Sequence, residues 1–236
     1  MANDYFQFKQ FTIHQQHCAM KVGTDGTLLG AWAQVPIASA RILDIGTGTG
    51  LIALMMAQRF PEASVVGIDI DSDAISQAQE NIKASPFADR IGISKENILY
   101  YNDEKGFDAI VTNPPYFVKA LTCPDHQRTL ARHTVSLTYE ELMHAANRLL
   151  NPHGVFSLVI STECRSALEA EAILEGFFIS RVCQIRTTPR KDPKRLLIEF
   201  LKHPVDKIFI EEGVVEEAPN VRTHWYQQLT QDFYIR

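Results

Sequence analysis

Asn113-Pro114-Pro115-Tyr116 gathers an amide, a prolyl carbonyl and a phenol ring at the end of an apolar run, Phe107-Asp108-Ala109-Ile110-Val111-Thr112. Two consecutive prolines forbid a strand from continuing, because they fix φ and lack the N–H that a ladder needs. The groups left at that strand end suit an NH2 on an sp2 carbon, as in adenine or a carboxamide. Such a nitrogen is a poor nucleophile, since its lone pair is delocalised into the π system. Two acceptors aimed at its N–H bonds, the Asn113 side-chain oxygen and the Pro114 carbonyl, would draw it toward sp3 geometry and stabilise the positive charge that develops during attack. Tyr116 or Phe117 would stack on the flat group and fix its direction. The bland alternative is a strand-stopping turn, and the glycine-rich turn upstream argues against it.

That upstream turn is Asp44-Ile45-Gly46-Thr47-Gly48-Thr49-Gly50. Glycines directly after a strand permit positive φ and let a ligand approach the backbone. The spacing is Gly-x-Gly-x-Gly, not the Gly-x-Gly-x-x-Gly that seats a pyrophosphate. Asp44 would repel a phosphate and welcome an ammonium, which points to S-adenosylmethionine. Asp69 lies at the end of the next apolar run and suits hydrogen bonding to both ribose hydroxyls, while Asp71 serves as a helix cap. Glu96-Asn97-Ile98 is the expected adenine contact of the cofactor, with Asn97 at the base edge. Lys21-Val22-Gly23-Thr24-Asp25-Gly26 is the expected lid over the methionine end, with Lys21 and Thr24 as contacts; a plain turn and helix cap is the competing reading.

These groups need a scaffold that brings strand ends together. Phe6 to Ile13 alternates with a period of two and reads as a strand, and Thr24 to Thr27 offers a cap for a helix through Trp32. Strand and helix then alternate: strands over 41–45, 64–70, 91–94 and 108–112, helices over 51–59 and 73–84. A helix over 139–150 is expected to stop at Asn151-Pro152-His153-Gly154. A strand over 155–160 and a helix over 163–174 follow. Further β-rich runs lie at 177–185, 195–202 and 207–210, and 223–233 reads as a closing helix. The pattern predicts an α/β fold: a doubly wound, mostly parallel, seven-stranded Rossmann-like sheet with an antiparallel end and helices on both faces. The expected organisation is a single domain over 1–236, with an N-terminal strand and lid segment (1–40), a core (41–202) and a C-terminal strand and helix (203–236). Ligands belong outside the carboxyl ends of the strands, where Gly46, Asp69 and Asn113 all fall.

Composition narrows the function classes. The 236 residues are 45% hydrophobic and 22% charged, ordinary for a globular chain. No apolar run approaches a membrane span, and the N-terminus has no basic start followed by an apolar core, so a cytoplasmic protein is expected. Cys18, Cys123, Cys164 and Cys183 are scattered without a Cys-x-x-Cys pair, so no metal site is expected. Net charge is −5, which excludes a general polyanion binder, yet Arg186 to Arg195 concentrates five basic residues against one acid.

Asp44-x-Gly46-x-Gly48-x-Gly50 together with Asn113-Pro114-Pro115-Tyr116 resembles the amino-group class of Rossmann-like methyltransferases. More narrowly, the chain resembles the bacterial tRNA1(Val) adenine-37 N6-methyltransferase family. That likeness rests on Phe8-Lys9-Gln10-Phe11 with Gln15, on Lys21 through Trp32, on Asn113 through Phe117, and on the ending Leu229-Thr230-x-Asp232-Phe233-Tyr234. It implies S-adenosylmethionine as methyl donor and valine tRNA as partner, with the target adenine in the anticodon loop, where unstacking costs less than in a duplex. It also implies RNA contacts on the basic segment, for which Arg190, Lys191, Lys194 and Arg195 are the candidates. Lys119, Arg128 and Arg132, after the Asn-Pro-Pro-Tyr motif, are second candidates. Rival readings are a protein-glutamine N5-methyltransferase, a ribosomal-RNA or DNA adenine methyltransferase, and a cofactor-binding RNA chaperone without catalysis. The glutamine and DNA enzymes usually carry a recognition domain for which this sequence leaves no room. A pure binder has no use for two acceptors at the methyl. A monomer is expected.

Overall fold

The computed structural model describes residues 4–16, 21–114 and 137–235. The chain opens with an antiparallel hairpin, β1 (Tyr5–Gln7) and β2 (Thr12–His14). The alternating run read as one strand folds back between them. Phe8 and Phe11 stack at 4.8 Å between centroids, Phe8 also stacks on Tyr234, and burial of these rings outweighs extending the strand.

Then come α1 (Thr24–Trp32), β3 (Arg41–Ile45), α2 (Leu51–Arg59), β4 (Ser64–Asp69), α3 (Ser72–Lys83), β5 (Ile91–Lys95) and β6 (Phe107–Thr112). Beyond residue 136 follow α4 (Tyr139–Leu149), β7 (Leu150–Ser161), α5 (Arg165–Leu174), β8 (Phe178–Arg186), β9 (Arg195–Leu201), β10 (Phe209–Val214), β11 (Glu216–Ala218), β12 (Val221–Arg222) and α6 (His224–Leu229).

Among the described residues, one sheet of eight strands runs in the order β10-β8-β9-β7-β6-β3-β4-β5. The stretch from β7 to β5 is parallel throughout, and β9 is antiparallel to both β7 and β8. This is the Rossmann-like sheet with an antiparallel end that the alternation predicts. The count is eight rather than seven, because β10 adds to the edge parallel to β8. Along β3 and β6 the side chains alternate between the two faces. Ile42, Ala109 and Val111 pack beneath α1, α2 and the hairpin; Leu43 and Ile110 pack against α4 and α5 through Leu142, Leu149 and Leu168.

Three other boundaries differ from the sequence reading. Asn151-Pro152-His153-Gly154 does not form a separate turn after α4. It lies within β7 as an irregularity, where pairing with β6 jumps from Phe107–Leu150 to Ala109–Val155. The α1 cap is Gly23 with no side-chain hydrogen bond, and Thr24 is already helical. The closing helix is shorter than its pattern: Thr223 caps α6, which ends at Leu229, and Phe233 then buries in a turn.

Connections run from β3 outward through β4 to β5, then return to β6 on the other side of β3. The crevice between the carboxyl ends of β3 and β6 is therefore the switch point of the sheet, where an open α/β fold binds its ligand.

Candidate active site

At the end of β3 the chain turns through Gly46, Gly48 and Gly50 with φ of 69°, 55° and 80°. These are left-handed values that side chains other than glycine's resist. A Cβ at Gly46 would meet nothing within 4 Å, so the outer face of the turn is open space. Its inner face is fixed, because the amides of Gly46 and Thr47 both donate to Ile68 O on β4, at 2.9 and 3.0 Å.

Asp44, on β3, is fully buried. Its Oδ2 accepts from Thr47 Oγ1 at 2.7 Å and from the Ala53 amide at 3.2 Å, whereas Oδ1 is buried without a partner. Burial pushes the carboxyl up to about 7, against the two hydrogen bonds that favour its charge. A buried carboxylate oxygen left unpaired beside an open glycine turn fits the ammonium that the sequence reading assigns to it. Thr47, which sequence reasoning passed over, orients this carboxylate.

Asp69, at the end of β4, faces the same turn. Its Oδ2 accepts from the Gly48 amide and its Oδ1 from the Asp71 amide, both at 3.0 Å. The carboxylate is thus locked at the lip of the turn, in reach of a ribose lying over it. Asp71 is the α3 cap, accepting from the Asp73 amide, as expected. The Glu96 amide donates to Asp69 O at 3.0 Å, which hangs the segment with half-buried Asn97 and buried Ile98 beside Asp69. Asn97 Oδ1 accepts from the Leu99 amide, so the side chain shapes this turn before it meets any ligand.

Asn113 and Pro114 follow β6 on the neighbouring strand, half-buried and buried respectively. Thr112 Oγ1 donates to Ile45 O at 2.8 Å and ties the two strand ends together. The first turn of α1 closes over them. A Cβ on Gly26 would stand 3.3 Å from Leu51 and 3.8 Å from Asn113 Nδ2; one turn on, a Cβ on Gly30 would collide with Met55 at 2.8 Å. Glycines four residues apart therefore let α1 lie directly on α2, and Gly26 brings the first turn of α1 against Asn113. Ahead of it, Gln15 Oε1 accepts from the Val22 amide at 2.7 Å, so the hairpin holds the approach to α1. Lys21 and Thr24, ahead of Gly26, are exposed.

The basic hairpin between β8 and β9 rises from the same edge of the sheet, since Arg195 pairs with Ser161 at the carboxyl end of β7. It is firmly held: the Lys194 amide donates to Ile185 O, Thr162 donates to the carbonyls of Pro193 and Lys194, and the Glu216 amide donates to Thr187 O. Arg190, Lys191 and Lys194 are exposed, while Arg195 Nε donates to Asp25 Oδ2 at 2.8 Å. Pro115, Tyr116, Phe117, Lys119, Arg128 and Arg132 lie outside the described residues, as do Cys18 and Cys123. Cys164 and Cys183 are buried, and burial pushes the Cys183 thiol up to about 12, so Cys183 is not poised as a nucleophile. Among the described residues no three His, Cys, Asp or Glu side chains gather as a metal ion would require, and no helix is long and apolar enough to cross a membrane.

Residues 18–188 match the methyltransferase small domain family. The chain is 48% identical over 235 residues to a tRNA1(Val) (adenine(37)-N6)-methyltransferase from Phocaeicola vulgatus, covering 100% of this chain and 99% of the relative. It is 42% identical over 233 residues to the protein of the same name from Histophilus somni, covering 98% and 97%. Among solved structures, a predicted O-methyltransferase from Agrobacterium tumefaciens superposes with a TM-score of 0.68 at 17% identity, over 89% of this chain and 96% of that one, a likeness of fold alone.

Proposed function

Since the chain belongs to the tRNA1(Val) (adenine(37)-N6)-methyltransferase family, within the methyltransferase small domain family, we propose that it transfers a methyl group from S-adenosylmethionine to N6 of adenine 37 in the anticodon loop of valine tRNA. The observation that carries this reading is the meeting, at one switch point, of an open glycine turn, an unpaired buried Asp44 oxygen and Asn113-Pro114.

The cofactor's ammonium would lie on Asp44, its ribose on Asp69 and its base beside Asn97 and Ile98. Bound there, S-adenosylmethionine supplies a methyl group made electrophilic by its sulfonium. The protein's own residues do the rest. Asn113 Oδ1 and the Pro114 carbonyl accept from the two N–H groups of the target amine, orient its lone pair and stabilise positive charge growing on nitrogen. No base of matched pKa is required before attack, and the proton leaves afterwards to water. The first turn of α1 keeps water from the methyl, and Tyr116 or Phe117 stacks on the target base. Arg190, Lys191 and Lys194 hold the tRNA backbone electrostatically, as do Lys119, Arg128 and Arg132.

The test is methylation of bulk tRNA from a strain lacking the enzyme, with labelled S-adenosylmethionine and nucleoside mass spectrometry. N6-methyladenosine in valine tRNA is expected, and Asn113→Ala should lower turnover by about 10²-fold or more while cofactor binding persists. Label in ribosomal RNA or protein instead would overturn the substrate, and an active Asn113→Ala would overturn the role of Asn113.

A further inference from the structure

The ion pair between Arg195 and Asp25 links two parts of the molecule that the reaction uses separately. Arg195 is the first residue of β9 and ends the basic hairpin; Asp25 is the second residue of α1. Their 2.8 Å contact spans 170 positions in sequence, and both side chains are 27% exposed, so the pair sits at the rim of the site. The next residue after Asp25, Gly26, lies against Leu51 at the start of α2 and against Asn113. One peptide unit therefore separates the carboxylate that Arg195 grips from the backbone that roofs the reacting groups.

Other restraints on this end of α1 come from its packing on α2 and from local hydrogen bonds. Its cap, Gly23, offers no side chain. Thr27 Oγ1 donates back to Gly23 O, and Gln15 holds Val22 on the approach. The base of the hairpin is held within the sheet: Arg195 is paired across both β7 and β8, and the Lys194 carbonyl accepts from Thr162 and from Arg195 Nη1. The Arg195 end of the pair is thus anchored in the sheet, and through it the first turn of α1 is tied to that sheet.

We propose that Asp25 and Arg195 form a latch that holds the first turn of α1 over the cofactor, making Arg195 a cofactor-positioning residue rather than an RNA ligand. The inference rests on the reading of the switch point as an S-adenosylmethionine site. It divides the basic segment in two: Arg190, Lys191 and Lys194 face RNA, while Arg195 faces inward. It also implies that RNA docked on the hairpin bears on the same rigid element that seats the cofactor roof.

The experiment compares Arg195→Gln, Asp25→Asn, their double variant and Arg195→Lys. S-adenosylmethionine affinity is measured by calorimetry without RNA, and tRNA affinity by filter binding across a salt series. Each single variant is expected to bind S-adenosylmethionine roughly fivefold more weakly, the scale of a partly exposed ion pair, with the double variant no worse than either. KM for the cofactor should rise with kcat at saturation preserved, Arg195→Lys should recover most of the loss, and tRNA affinity and its salt slope should not move. Melting temperatures within about 4 °C of the parent identify folded variants; if Arg195→Gln melts lower, Asp25→Asn and Arg195→Lys carry the comparison. Weaker tRNA binding with intact cofactor affinity in Arg195→Gln overturns the proposal, and so do unchanged affinities throughout or losses that multiply in the double variant. A parent protein that binds S-adenosylmethionine but methylates no tRNA would sink the proposed substrate and leave this binding test readable.

Discussion

The side-chain amide of Asn81 donates to the carbonyl of Thr49 at 2.9 Å, gripping the glycine turn from behind. The same nitrogen donates to His14 O, and Asn81 Oδ1 accepts from the His14 amide, each at 2.9 Å. Asn81 is 1% exposed. One buried residue on α3 thereby joins the N-terminal hairpin to the nucleoside turn, using its whole complement of donors and acceptors but one lone pair.

Replacing it should therefore disturb stability and binding together. Asn81→Ala leaves the buried Thr49 carbonyl and the part-buried His14 amide and carbonyl without this partner, a loss of about 3 kcal/mol, or about 6–12 °C in melting temperature for a chain of this length. Thermal denaturation and S-adenosylmethionine calorimetry on one preparation check this. A variant that loses stability with unaltered cofactor affinity would show that the turn does not depend on the clamp.

Asp44 makes both folding and binding depend on pH. The unfolded chain releases its proton near 4, whereas burial raises the folded value to about 7. Between those limits the folded state holds the extra proton, so the contribution of Asp44 to stability falls as pH rises from about 4 to about 7. The ligand-free protein should lose melting temperature over that window more steeply than Asp44→Asn does. Binding has the opposite sign, because an ammonium requires the carboxylate. S-adenosylmethionine affinity should rise by roughly eightfold from about pH 6 to about pH 7.5 in the parent and stay level in Asp44→Asn. Flat affinity in the parent would remove the ammonium from Asp44.

The exposed part of the basic hairpin gives a salt-dependent prediction. Changing Arg190, Lys191 and Lys194 together to Gln should weaken tRNA binding and lower the slope of log affinity against log salt by about 2, close to 0.7 for each phosphate no longer neutralised. S-adenosylmethionine affinity should be unaltered. An unchanged slope would mean that RNA passes elsewhere.

Much of this arrangement could be read from residue types. The parallel core follows from strand-helix alternation, and the ends of β3, β4 and β6 were legible because glycine, proline and acidic residues punctuate them. What the sequence concealed was decided by contacts between distant segments. Period-two alternation across Phe6 to Ile13 says nothing of a reversal at Lys9-Gln10, which depends on Tyr234 more than 200 positions away. Asn81 carries no local signal, since an asparagine on an amphipathic helix reads as a solvent-facing residue until its partners are known. Arg195 looks like its neighbours in a basic run, and only its pairing with Asp25 separates it from them.

Gly26 and Gly30 show the same limit and offer a final test. Glycine twice within nine helical residues is costly, at about 1 kcal/mol each relative to alanine, and local propensity would count them as defects. Their use is the approach of α1 to α2. Gly30→Ala adds a Cβ that meets Met55 Sδ at 2.8 Å and Met55 Cβ at 2.9 Å, and the latter atom cannot swing aside. Overpacking of about 2–3 kcal/mol should exceed the gain in helix propensity, leaving a net loss of about 1–2 kcal/mol. Because the shift also lifts Gly26 from Asn113, cofactor affinity should fall with stability. Met55→Gly removes both atoms, so in that background Gly30→Ala should be tolerated and raise stability through helix propensity alone. A double variant less stable than Met55→Gly would mean that some contact other than Met55 excludes the methyl group.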